Sequence, residues 1–221
     1  MEISILCDSA EHPINLWISQ WVNKHSSTHE IKMCRDKSEL VGGDILFLIS
    51  CGQIISKPLR DLYMHSLVIH ASDLPEGRGW SPYIWGLLEG DEEVTVSLLE
   101  AEDSVDTGAI WSKKSFEVPP HHLNSEIHKT LFETEMSLMD EALVLAETNI
   151  VGVPQSKLSG LTYYRKRSPS DSRIDPTKTL EELFNTIRVM DPDRYPAFFY
   201  QHGYKYTIEL RKVEPNENDN D

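Results

Sequence analysis

The chain has 221 residues, 39% apolar and 26% charged, with a formal net charge of −15, proportions that fit a folded domain able to bury its core without cross-links. That charge opposes a broad nucleic-acid footprint, which needs Lys and Arg against phosphate, and no stretch approaches the ~20 apolar residues of a membrane helix. Cys7, Cys34 and Cys51 have neither CxxC nor metal-ligand spacing and read as thiols of a reducing cytosol, while the acidic start with its short apolar run does not read as a secretory leader.

Residues 3–7, ISILC, form a short apolar run expected to be a buried strand. Ile14, Leu16, Trp17, Trp21 and Val22 then fall near helical spacing, and 30–34 alternate weakly as a second strand. The continuous run 45–50, ILFLIS, bounded by glycines, reads as a strand buried on both faces of a parallel sheet. Pro58 marks a helix start within 57–64, and 66–72 reads as a strand. Over 81–90 a helix is expected, with Ser81 as N-cap, Pro82 at its first position and Gly90 as its stop. Strands at 94–100 and 108–118 follow. The clearest helix is 125–147, with Ile127, Leu131, Leu138, Met139, Ala142 and Leu143 on one core-facing stripe. A short helix at 179–190 and a hairpin over 197–210 close the chain.

This order of elements predicts an α/β fold: an open, mostly parallel Rossmann-like sheet with flanking helices and a short C-terminal helix and hairpin. The texture divides the chain into a catalytic α/β domain, 1–150, an extension packed on it, 151–213, and a disordered acidic tail, 214–221.

The stretch 68–90, VIHASDLPEGRGWSPYIWGLLEG, carries the chemistry. His70 ends a predicted strand, where open α/β sheets place their sites. Asp106 precedes a Gly turn between two strands, and the intervening chain is long enough to go out along a helix and back along a strand to His70. Alone, His70 reads better as a satisfied core histidine, and Asp106 as a turn residue.

Taken together, 70-HASDLPEGRG-79, 81-SPYIW-85 and 105-VDTGAI-110 resemble the formyltransferase family that uses 10-formyltetrahydrofolate, which includes the methionyl-tRNA, glycinamide ribonucleotide and nucleotide-sugar enzymes. The run 48–56, LISCGQIIS, is similar to the loop that cradles the folate pterin through backbone groups in that family. Stretches 163–175 and 187–206 resemble the C-terminal portions of the tRNA and sugar enzymes, so the likeness covers roughly residues 44 to 206. It implies acyl transfer to an amine that is itself the nucleophile, with His70 as acid/base and charge stabiliser and Asp106 as its orienter and proton acceptor. It implies cofactor contacts at Cys51, Gly52, Gln53, Ile54, Ile55, Glu102 and Asp103, acceptor contacts at Ser72, Arg78, Gly79, Trp80 and Ser81, and no metal. The family's active site has an Asn two positions before the His; here Val68 stands there. Either His70, a backbone N–H or one of Ser72, Ser50 and Gln53 takes over as oxyanion donor, or activity is weak.

Other features read more plainly. Adjacent His121 and His122 are a weak metal signal. Trp80, Tyr83 and Trp85 read as core or sugar-pocket walls, and 165–167, RKR, as a solvated face that could also meet a nucleotide diphosphate. The acidic end weighs against tRNA, and the first strand lacks the Gly-rich loop of the glycinamide ribonucleotide enzymes. The resemblance therefore implies N-formylation of an amino sugar, nucleotide-linked or a nonulosonic-acid (for example pseudaminic acid) precursor for surface glycans, by a cytoplasmic enzyme without nucleic-acid or membrane partners, in a plausible homodimer. A formyltransferase for another small amine, an impaired folate- or nucleotide-sugar-binding homologue and a folate deformylase are the alternatives.

Overall fold

The computed structural model describes residues 1–148, 152–156 and 162–213; the tail expected over 214–221 lies outside them. In chain order it contains β1 (Glu2–Leu6), α1 (Asn15–His25), β2 (Glu30–Cys34), β3 (Gly43–Leu48), α2 (Lys57–Arg60), β4 (Tyr63–His70) and β5 (Arg78–Gly79). There follow α3 (Pro82–Glu89), β6 (Glu93–Glu100), β7 (Ile110–Glu117), α4 (Asn124–Glu147), β8 (Tyr163–Tyr164), α5 (Leu180–Val189), β9 (Ala197–Gln201) and β10 (Tyr204–Ile208).

Six strands make the central sheet in the order β2-β1-β3-β4-β6-β7. The first four are parallel, while β6 and β7 join antiparallel. The expected α/β sheet is present. Its β1 lies between β2 and β3, so the chain crosses to opposite sides of β1, and the loops leaving β1 and β3 part above the sheet. Such a switch point opens a crevice at the carboxyl ends of the strands.

The core lies where the apolar runs predict. Ile3, Ile5, Ile45, Phe47, Leu67, Val96 and Leu98 pack one face against Ile18 and Trp21 of α1, Ile84 and Leu87 of α3, and the α4 stripe. On the other face Leu6, Cys34, Leu46, Leu48, Ile55 and Tyr63 form a smaller cluster. Several boundaries differ from expectation. The helix after Pro58 is a single turn, and β4 begins at Tyr63. β4 ends at His70, because the chain turns at once: the Ser72 amide bonds the His70 carbonyl at 2.9 Å. Ser81 does occupy the N-cap of α3, but with a left-handed backbone (φ 49°) and no side-chain cap bond. α4 starts at Asn124, whose side chain instead bonds the Val189 carbonyl and ties α4 to the end of α5. The β9–β10 hairpin turns through His202 and Gly203, both at positive φ, as a tight two-residue turn requires.

The C-terminal segment is laced onto the sheet domain. β8 pairs with β5, and the Trp80 amide bonds the Tyr164 carbonyl at 3.0 Å. Asn185 donates to the Leu87 carbonyl at 2.6 Å.

Candidate active site

A cavity of about 730 Å³ opens at the carboxyl ends of the strands. His70, the last residue of β4, and Asp106, in the β6–β7 connection, both line it. Their side chains are 9% and 7% exposed, and Nδ1 of His70 stands 3.6 Å from Oδ1 of Asp106. On the other side of the ring Nε2 lies 2.9 Å from the Gly77 carbonyl. A carbonyl only accepts, so Nε2 carries a hydrogen, and Nδ1 is the nitrogen turned to the cavity chemistry. Oδ2 of Asp106 is held by the Gly79 amide at 2.8 Å, which leaves Oδ1 for His70. Asp106 sits at φ 58°, an uncommon backbone for a non-glycine residue and the kind stored at working sites.

The loop holding Asp106 is braced from behind. Gln155 donates to the carbonyls of Asp106 and Gly108, each at 2.9 Å, and its own oxygen accepts from Arg78 at 2.8 Å. Gly79 has φ 97° and sits against the Tyr164 carbonyl, where a Cβ would collide.

Two loops form the opposite rim. Gly52 donates to Oδ2 of Asp8 at 2.8 Å, joining the loop after β3 to the loop after β1. The amides of Gln53, Ile54 and Ile55 bond no other described residue. Leu48, Ile55, Val68 and Ala101 give this end an apolar floor beside Glu102 and Asp103. Buried Arg60 clamps the loop after β3 to the β6–β7 connection, with Nη1 on the Ile55 carbonyl and Nη2 on Oδ1 of Asp103, both at 2.6 Å. Free amides around an apolar floor fit a flat heteroaromatic ring. The Cys51 thiol is pushed up to about 11 by burial, so it supplies no thiolate nucleophile.

The remaining wall comes from α4 and the C-terminal segment. His128, Leu131, Phe132 and Glu135 face the cavity from α4, with Lys166, Arg167, Asp191 and Arg194 beyond them. Burial pushes the Glu135 carboxyl up to about 8. Burial, together with Arg194 nearby, holds His12 down to about 4; burial holds His128 at a similar value. Tyr83 and His128 are joined through Oη and Nε2 at 3.0 Å.

Of the residues predicted from sequence, His70, Asp106, the whole 51–55 loop, Glu102, Asp103, Gly79, Trp80 and Ser81 line the cavity. Ser72 and Arg78 do not. The Ser72 hydroxyl is buried without a partner, and Arg78 is spent on Gln155. Among the three side chains weighed as replacements for the missing Asn, only Ser50 faces the cavity freely. The amide of Gln53 is engaged with Arg35 and Lys37, and Ser72 is turned inward. The expected solvated face at 165–167 is mixed. Arg165 pairs with Asp171 in the open and Lys166 lies over the Trp80 ring at 4.5 Å, but Arg167 is half-buried in the cavity wall. Among the described residues no three His, Cys, Asp or Glu side chains converge as metal ligands do, and no helix is long and apolar enough to cross a membrane.

Residues 9–143 match the family model described as formyl transferase. The chain belongs to the formyl transferase family. The formyl donor of that family is 10-formyltetrahydrofolate. Residues 169–220 also match the model of the methionyl-tRNA formyltransferase C-terminal domain, so a stretch akin to that domain is present where the acidic end had weighed against it. A methionyl-tRNA formyltransferase of Nitrosomonas eutropha is 29% identical over 167 residues, 75% of this chain and 52% of that protein. The chain thus spans about half the length of such curated relatives. In fold it is similar to a methionyl-tRNA formyltransferase from Clostridium thermocellum (TM-score 0.78, 22% identity, 97% and 94% of the two chains). It is also similar to WlaRD, a sugar 3N-formyl transferase solved in the presence of dTDP and 5-N-formyl-THF (TM-score 0.63, 18% identity, 86% and 78%).

Proposed function

We propose that the protein transfers a formyl group from 10-formyltetrahydrofolate to the amine of an amino sugar, nucleotide-linked or a nonulosonic-acid precursor for surface glycans. The single observation that carries formyl transfer is the His70–Asp106 pair, buried together beside a loop whose free amides suit a pterin ring. When bound, the folate supplies the formyl carbon. The pterin would lie along residues 51–55 with Glu102 and Asp103 at its edge. His70 turns Nδ1 toward the amine; with the amine proton taken up there, the ring is a cation facing Oδ1 of Asp106. The Gly77 carbonyl and the Gly79 amide keep both groups in register throughout. Val68 gives no oxyanion donor, so protonated His70, Ser50 and a backbone N–H are the groups left to stabilise developing charge.

Lys166, Arg167 and Arg194 on the outer wall support an acceptor with an anionic part, as a nucleotide diphosphate has. The three free thiols support a cytoplasmic setting. We read residues 1–150 as the catalytic domain and 151–213 as an extension completing the acceptor wall, in a homodimer. Methionyl-tRNA is the second reading, favoured by the match over 169–220 and by the relatives of half-shared length. Tetrahydrofolate release with a panel of nucleotide amino sugars and with methionyl-tRNA separates the two. Turnover with the sugars alone supports the first reading; turnover with the tRNA alone replaces it.

A further inference from the structure

Glu135 is 7% exposed and lines the cavity. Its carboxyl bonds no described residue, burial is what perturbs it, and among the described residues no cation counters its charge. It stands on the buried stripe of α4, four residues after Leu131 and three before Leu138, where an apolar side chain would pack at no desolvation cost. Beside it the wall is able to hydrogen-bond: Tyr83 and His128 are joined to each other, Phe132 closes the back, and Asp191 and Arg194 stand farther out on the same wall.

We propose that this α4 wall is the subsite for an uncharged, hydroxylated ring of the acceptor, and that Glu135 selects that ring by hydrogen-bonding one of its hydroxyls. The inference rests on the formyl-acceptor reading of the cavity and names the part of the acceptor that this wall holds. A carboxylic acid both donates and accepts, so it satisfies a hydroxyl completely. An acceptor lacking that hydroxyl leaves a buried polar group unpaired, which is how sites reject close analogues. The anionic part of the acceptor would extend to Arg167 and Arg194, beyond this subsite.

Equilibrium titration of the full chain with D-glucosamine and with cyclohexylamine, a ring of the same size without hydroxyls, tests this. The native protein should bind glucosamine about tenfold more tightly. Glu135→Gln, which keeps a donor and an acceptor, should retain the preference within about threefold, and Glu135→Leu should lose it. Binding of 5-formyltetrahydrofolate should be unchanged in both, which also reports that each variant is folded. Equal affinities, no measurable binding of either probe, or a preference surviving in Glu135→Leu overturns the assignment. A glucosamine preference without formyl transfer to any amine would count instead against the proposed function and leave this subsite standing.

Discussion

The buried titratable groups of the cavity wall should make stability depend on pH in a way one substitution reverses. Glu135 titrates near 8 in the folded chain against 4.5 ordinarily. Its folded pKa is raised, so the stability it contributes is fully present below pH 4.5 and is lost as pH rises to 8. At about 1.4 kcal/mol per pH unit that loss reaches up to about 5 kcal/mol, less where water enters the cavity. His12 and His128 act oppositely. Each is held near 4 against 6.5, so their contribution is present above 6.5 and lost as pH falls to 4, up to about 3 kcal/mol each. Between 4.5 and 6.5 two histidines outweigh one carboxyl and stability rises with pH; above 6.5 only Glu135 acts and stability falls. The maximum from these groups therefore lies near pH 6.5. Glu135→Gln removes the falling limb. Urea unfolding at pH 6.5 and 8.5 should show the native protein weaker by roughly 1 kcal/mol at the higher pH, and Glu135→Gln no weaker than at pH 6.5. The reasoning fails if the native protein is as stable at 8.5 as at 6.5, or if the variant keeps the same slope.

Further outcomes follow from the loops. Arg60→Ala strips the Ile55 carbonyl and Asp103 of their shared donor; it should cost about 2–3 kcal/mol, a fall in Tm of roughly 5–10 °C by thermal unfolding, and weaken folate binding. Gly52→Val places a side chain 3.3 Å or less from Asp8 and the Trp80 ring; folate affinity measured by fluorescence titration should drop about tenfold or more, while Tm moves by only a few degrees. Gln155→Ala frees the turn behind Asp106; in steady-state kinetics kcat should fall about tenfold while folate KM stays within about twofold.

Most of the frame was legible because it is periodic. The apolar runs at 3–7 and 45–50 mark β1 and β3, which end at Leu6 and Leu48, and the 125–147 stripe is a helix whose Leu138 and Met139 are fully buried. His70 and Asp106 were legible as an end-of-strand histidine and a turn aspartate in a recognisable setting. Glu135 was passed over although its signal was present: a lone acid at helical spacing within an apolar stripe. His128 was hidden because it flanks that stripe. Arg60, Gln155 and Arg194 carry no local pattern; each acts through a partner 43 or more residues away or through the closure of the cavity. The Arg78–Gln155 bond was not legible, because a loop arginine looks the same in sequence whether it meets a ligand or a half-buried glutamine.

The central claim is that Nδ1 of His70, facing Asp106, takes the proton of the attacking amine. Acceptor-dependent release of tetrahydrofolate by the native protein and by His70→Asn tests it most directly, with 5-formyltetrahydrofolate binding measured alongside. The account predicts a loss in kcat of about 10²–10⁴-fold with folate affinity preserved. A variant that turns over within tenfold of the native rate would contradict it.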